Sequence, residues 1–244
     1  MEIFQLFKPI FTPIEDLCFI KNKMHPCYAL YNANNIDEND IAFLAAKFLH
    51  ENEQNIIKRR KNLVAKKEYI ASRFLIKSYI AEHLVISYQT LQLSFDTESA
   101  QLKALYKGKP LAFNISLTHS KGFIFFAITN DAINIAVDLE YQNTTRDTQT
   151  LANAYFHPDE VKWLLERDQT QFYRLWTLKE ALAKITASSV LEVLKQNTKQ
   201  QIVQYHHTTG QYKEFTFAVI QSMPFINQCW YLINHEKALQ LSHE

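Results

Sequence analysis

Near the middle of the chain an apolar run ends in two carboxylates. In INIAVDLEY, residues 133–141, Asp138 and Glu140 stand one residue apart. Strand side chains alternate between faces, so both point the same way. Two anions that close repel, and without a cation their pKa values are driven apart until one keeps its proton. A bound divalent metal resolves the repulsion. Full exposure at a strand end, where water and salt screen both charges, resolves it as well, and the pair alone is compatible with either.

Two further stretches carry groups of the same kind. FYRLWTLKEALAKI, 172–185, has the apolar spacing of a helix and sets Glu180 and Lys184 four residues apart on one face. By itself this is a common surface ion pair; Trp176 reads as core and Lys179 as an exposed helix lysine. KGKPLAFNISLTHSKG, 107–122, opens with the basic turn Lys107-Gly108-Lys109-Pro110 and closes its strand with Thr118-His119-Ser120. A histidine at a strand end is ordinarily a surface residue; beside lysines and hydroxyls its ring can instead donate to a phosphate. Upstream, KRRKNLVAKK at 58–67, with Lys58 and Arg60, and Arg73 beyond it, forms a basic helical cluster, either a solvated face or a local anion site.

The elements that must position these groups follow from the pattern of the whole chain. Its 244 residues suffice for one large domain or two small ones, and 26 Lys plus Arg against 25 Asp plus Glu exclude a global polycation that coats nucleic acid. Cys18, Cys27 and Cys229 are odd in number and far apart, suggesting neither a disulfide framework nor a zinc site, and fitting a reducing cytoplasm. Glu2 and the prolines of MEIFQLFKPIFTPIEDL are unlike a signal peptide, and no apolar run reaches the ~18 residues of a membrane span. Glycines at 108, 122 and 210 only leave no room for a glycine-rich phosphate loop.

Helical spacing from about 36 to 84 opens the first half, followed by the strand runs LQLSF, AQLKALY, AFNISLT and FIFFAIT. The second half reads as strand AINIAVDL, helices over 148–185, then strands QQIVQYHH, KEFTFAVI and QCWYLI. The expectation is an α+β fold of two similar lobes joined near 130–134, with the binding site in the cleft between them.

Taken together and in order, GKP…SLTHS, IAVDLEY, FHPDEV and WTLKEALAK resemble the 4′-phosphopantetheinyl transferases, over roughly residues 58–195, and best their two-lobed, surfactin-synthetase-activating type. The resemblance implies lobes at 1–131 and 132–244 in a pseudo-two-fold arrangement, and a monomer. It implies transfer of the phosphopantetheine arm of coenzyme A to a serine of an apo acyl or peptidyl carrier protein, with adenosine 3′,5′-bisphosphate released. Asp138, Glu140 and Glu180 would match the acids that bind Mg²⁺. Asp138, Glu180 and Lys184 would be catalytic, with Glu180 or a metal-bound water as base and Lys184 meeting the phosphates. Lys58, Arg60, Lys107, Lys109, Pro110, Thr118 and His119 would hold coenzyme A, and Phe156 and Glu160 would match a structural helix start. The sequence departs from the family pattern at Ala136, commonly glycine there, and in the two extra residues between Phe113-Asn114 and His119. Alternatives are a non-catalytic module that binds coenzyme A or a carrier protein, and a nucleic-acid binder leaning on the 58–67 cluster. Near-zero net charge disfavours the latter, and no membrane partner is implied.

Overall fold

A computed structural model of the chain describes residues 12–14, 26–97, 101–130, 132–225 and 229–234. Cys18 and most of the N-terminal stretch lie outside them. The first half holds strands β1 (Thr12–Ile14) and β2 (Cys27–Asn32), helices α1 (Glu38–Phe48), α2 (Glu51–Arg59) and α3 (Leu63–Leu84), and strands β3 (Leu91–Asp96), β4 (Gln101–Tyr106), β5 (Lys109–Pro110), β6 (Phe113–Ser120) and β7 (Phe123–Asn130). The second holds β8 (Ile135–Tyr141), α4 (Thr148–Tyr155), α5 (Pro158–Leu164), α6 (Gln169–Ile185), α7 (Val190–Lys195), α8 (Thr198–Gln201), β9 (His206–Tyr212), β10 (Phe215–Gln221) and β11 (Cys229–Ile233). This is the mixed α+β class the sequence implies. Among the described residues no helix is long and apolar enough to cross a membrane.

Among the described residues two sheets form: one in the order β1-β11-β2-β7-β6-β4-β3, with β5 on β4, and one of three strands in the order β8-β10-β9. They face each other across a dry layer to which the first contributes Tyr28, Phe123 and Phe125 and the second Val137, Leu139 and Phe217. The outer face of the large sheet is covered by α3, through Phe74, Leu75 and Ile76 among others. The outer face of the small sheet is covered by α6, where Leu178, Ala181 and Leu182 meet Ala136, Ala218 and Ile220. The molecule is thus layered helix, sheet, sheet, helix, and with both faces covered β8 is apolar on both sides until Asp138.

Local chemistry sets the turns. β6 and β7 are joined by Lys121-Gly122, both with positive φ, the two-residue hairpin whose twist matches its strands. At Gly122, where φ is +84°, a Cβ would come within 2.1 Å of the Asn34 side chain, so any other residue is strained and displaces that side chain. The basic stretch 58–67 is not one helix. α2 ends at Arg59, and Asn62 caps α3 by accepting from Ala65 N at 3.0 Å, so the cations occupy a corner.

Other elements also differ from the sequence reading. β2 precedes the helices of the first half, and of QQIVQYHH only His206 and His207 are strand, since α8 takes up Gln200 and Gln201. β11, from the C-terminal segment, lies parallel to β2 in the large sheet, so a division at 131/132 leaves one strand of that sheet in the second segment.

Each half contains a fully buried ion pair. Lys77 of α3 pairs with Glu53 of α2 and donates to Phe48 O at 2.8 Å, while Glu53 accepts from Leu93 N at 3.0 Å. Lys179 of α6 pairs with Glu160 of α5 at 2.8 Å and donates to Gln196 O at 2.6 Å, while Glu160 accepts from Thr198 N at 2.8 Å. Lys179 is therefore not the exposed lysine its position on an ordinary helix suggests. Its wiring repeats that of Lys77.

Candidate active site

The two sheets are sewn together along β6 and β8. β8 is the outer strand of its sheet, so the backbone groups on one edge need partners from elsewhere. Ser116, Thr118 and Ser120 alternate onto one face of β6 and supply hydroxyls. Ser116 Oγ accepts from Val137 N at 2.9 Å, Ser120 Oγ accepts from Tyr141 N at 3.1 Å, and Thr118 Oγ1 donates to Asp138 Oδ1 at 3.1 Å. Three hydroxyls at period two thus hold the acidic strand in register.

Asp138 and Glu140 share a face of β8 with Ala136, whose side chain packs on α6. The methyl group is used in that contact, which accounts for alanine at this position. On α6, Trp176, Glu180 and Lys184 fall on one face at successive four-residue steps. Lys184 does not pair with Glu180; its ammonium donates to Asp138 Oδ1 at 2.8 Å and Val137 O at 3.0 Å. Asp138 is only 4% exposed, and its Oδ2 is buried with no hydrogen-bond partner.

The acids feel one another. Burial, then Asp138 and Glu180, push the Glu140 carboxyl up to about 7 against the pull of Arg146 and Lys184. Burial, then Asp138, push Glu180 up as well. Arg146 stands on the same side, its guanidinium 5.6 Å from the Trp176 ring centre. Among the described residues, no three His, Cys, Asp or Glu side chains are gathered into a group that would hold a metal ion as they stand. The carboxylates are adjacent enough to repel but not closed around a centre, and Lys184 supplies the cation for Asp138.

At the end of β6, His119 is 53% exposed, and its Nδ1 lies 3.0 Å from Oε2 of Glu68 on α3. Glu68 is buried and its Oε1 accepts from Gly122 N at 2.8 Å. Burial alone would push this carboxyl up, but His119, the Gly122 N–H and Arg60 together hold it below the usual carboxylate range. Arg60 and Arg73 lie against the Tyr69 ring at 4.8 and 3.9 Å from its centre. Between the halves lies a cavity of about 260 Å³, lined by Arg73 of α3, Leu102 of β4, Ser116 of β6, Ile135 of β8 and Lys184 of α6.

The structure brings Asp138, Glu140, Glu180, Lys184 and Thr118 together, with His119 one residue along β6. Lys107, Lys109 and Pro110 stand exposed at the turn into β5, and Lys58 is exposed at the end of α2. Sequence reasoning missed Glu68, which sits in AKKEYI like any solvated helix glutamate. It also missed the structural use of Ser116 and Ser120, although their alternation with Thr118 was there to be read.

Residues 134–225 match the family model described as the 4′-phosphopantetheinyl transferase superfamily. The chain is 31% identical over 142 residues to 4′-phosphopantetheinyl transferase HetI of Nostoc sp., covering 52% of this chain and 55% of that protein. It is 27% identical over 132 residues to 4′-phosphopantetheinyl transferase psf-1 of Bacillus pumilus, covering 49% of this chain and 52% of that protein. The matched stretch spans about half the length of these relatives. Within residues 134–225, which hold IAVDLEY, FHPDEV and WTLKEALAK, the resemblance is borne out.

Proposed function

We propose that this chain transfers the 4′-phosphopantetheine group from coenzyme A to the serine of an apo carrier protein. The observation that carries the reading is the buried, unpartnered Oδ2 of Asp138 at a seam where two further acids, a lysine and a histidine-bearing strand end converge. An orphaned carboxylate oxygen beside carboxyls pushed up first by burial and then by their neighbours is a donor set with only Lys184 and Arg146 to offset it. That fits a hard divalent cation such as Mg²⁺, with Asp138, Glu140 and Glu180 as the residues that would hold it. When bound, such an ion would neutralise charge on the pyrophosphate of coenzyme A.

The chain's own residues account for the remaining chemistry. His119 and the cations Lys58 and Arg60, near the corner between α2 and α3, bind coenzyme A phosphates, whereas Lys107, Lys109 and Pro110 lie at the opposite end of β6 from His119. Thr118 and Lys184 hold Asp138 in place, and Lys184 brings an ammonium to the oxygens where charge builds. The carrier serine Oγ attacks the phosphorus that bears the pantetheine arm. Its proton passes to Glu180, the carboxylate of α6 that faces Asp138 and Glu140 across the seam, and the P–O bond to the adenosine 3′,5′-bisphosphate leaving group breaks. The matching ion pairs Glu53–Lys77 and Glu160–Lys179 support a reading as two related lobes, 1–131 and 132–244, apart from the exchange of β11. A site built within one chain supports action as a monomer.

Purified protein incubated with an apo carrier protein, coenzyme A and Mg²⁺ adds one phosphopantetheine per carrier, read by intact mass. No mass shift on fatty-acid, polyketide or peptide carriers would overturn the assignment. Binding of coenzyme A without transfer would instead favour a non-catalytic binding module.

A further inference from the structure

The geometry points to Glu68 as a positioning residue for His119: its carboxylate holds the imidazole by Nδ1 so that Nε2 is presented, protonated, to a phosphate of coenzyme A. This rests on the functional reading above, but it concerns a residue that lies in none of the four motifs.

Glu68 projects from α3 and is 6% exposed, unusual for a carboxylate. Both its oxygens are engaged, Oε1 by Gly122 N at 2.8 Å and Oε2 by His119 Nδ1 at 3.0 Å. The turn it grips is fixed independently: Ala33 N donates to Gly122 O at 2.8 Å, and Asn34 Nδ2 donates to Lys121 O at 3.0 Å. The carboxylate is therefore a rigid post. The ring it holds is half open to solvent, with one edge tied and the other free.

Histidine tautomers decide what the free edge can do. A neutral ring that donates from Nδ1 to Glu68 has only a lone pair on Nε2, which repels a phosphate oxygen. Donation from both nitrogens requires the imidazolium, and a carboxylate on Nδ1 is the partner that favours it. The surroundings of the Glu68–turn contact are basic. Arg60 acts on Glu68 from the corner between α2 and α3, Lys121 is in the turn itself, and Lys67 reaches Asn34 O at 3.3 Å beside it. Glu68 thus fixes the ring of a strand-end histidine by its Nδ1 edge, with Arg60, Lys67 and Lys121 nearby to offset its own charge.

The test is a double-mutant cycle on coenzyme A affinity, measured by titration calorimetry at one neutral pH. Glu68→Gln keeps an oxygen for Gly122 N but loses the charge facing His119. It should weaken coenzyme A binding about ten-fold, the difference between a charged and a neutral hydrogen bond to phosphate, with the thermal midpoint unchanged. In a His119→Ala background, adding Glu68→Gln should weaken binding no further. Equal weakening in both backgrounds, or undiminished affinity in the single variant, overturns the inference. If Glu68→Gln does not fold, the ring ¹⁵N shifts of His119 in the wild-type complex decide: imidazolium supports the role and a neutral ring overturns it. A wild-type chain that binds no coenzyme A overturns the functional reading and this inference with it, whereas wild-type binding with the wrong cycle overturns this inference alone.

Discussion

Replacing Lys179 by methionine removes a charge from the middle of the molecule while keeping the length of its stem. Lys179 and Glu160 are both fully buried, 2.8 Å apart, and the ammonium also donates to Gln196 O at 2.6 Å. Methionine fills nearly the same space beside Phe156, so little packing is lost. What remains is a buried Glu160 that keeps the hydrogen bond from Thr198 N but has lost its cation. An uncompensated buried charge of this kind costs about 3–5 kcal/mol. For a chain of this size that lowers the thermal midpoint by roughly 6–20 °C. Circular dichroism melts and urea titration read the change directly. The companion Glu160→Gln change in the same chain should restore part of the loss, because a neutral amide leaves no unpaired charge. A cost for Lys179→Met below about 1 kcal/mol, as for an exposed helix lysine, would refute the reasoning, as would a double variant less stable than the single one.

Asp138→Asn removes the charge that both holds Lys184 and belongs to the acid cluster; turnover in the intact-mass assay should fall about 100-fold or more, with the melt confirming that the fold persists. Ser116→Ala strips the acceptor from Val137 N at the seam; leaving that buried N–H unpaired should cost about 1–3 kcal/mol in urea unfolding, and an unchanged midpoint would show that the hydroxyl ladder does not hold β8.

The acids and the histidine strand were legible because simple periods place them. Period two sets Asp138 and Glu140 on one face, and four-residue steps align Trp176, Glu180 and Lys184. What those faces meet was not legible. Lys184 lies four residues from Glu180 yet reaches across to Asp138, a choice made by how α6 packs on β8. Lys179 was misread because α6 is buried around most of its circumference, from Phe172 to Ala183, so no polar face marks which charges are internal. Glu68 was invisible for the same reason: nothing in its neighbours says that the β6–β7 turn comes to rest on it. β2 was missed because CYALYN is a short apolar run buried on both faces, without alternation.

The pairing of β11 with β2 has a bearing on how the molecule assembles. The chain builds most of its large sheet, leaves after β7 to make the small one, and returns to insert a strand between β1 and β2. Strands from opposite ends of the sequence therefore lie side by side, the type of pairing that slows folding because long loops must close first. A growing chain still lacking residues 229–233 has β2 with an open edge, the kind of surface that recruits other chains. The partners of the hydroxyl seam between β6 and β8 are close in sequence, so its loops are short to close. The sheet that carries the seam is thus completed only by residues from both segments of the chain.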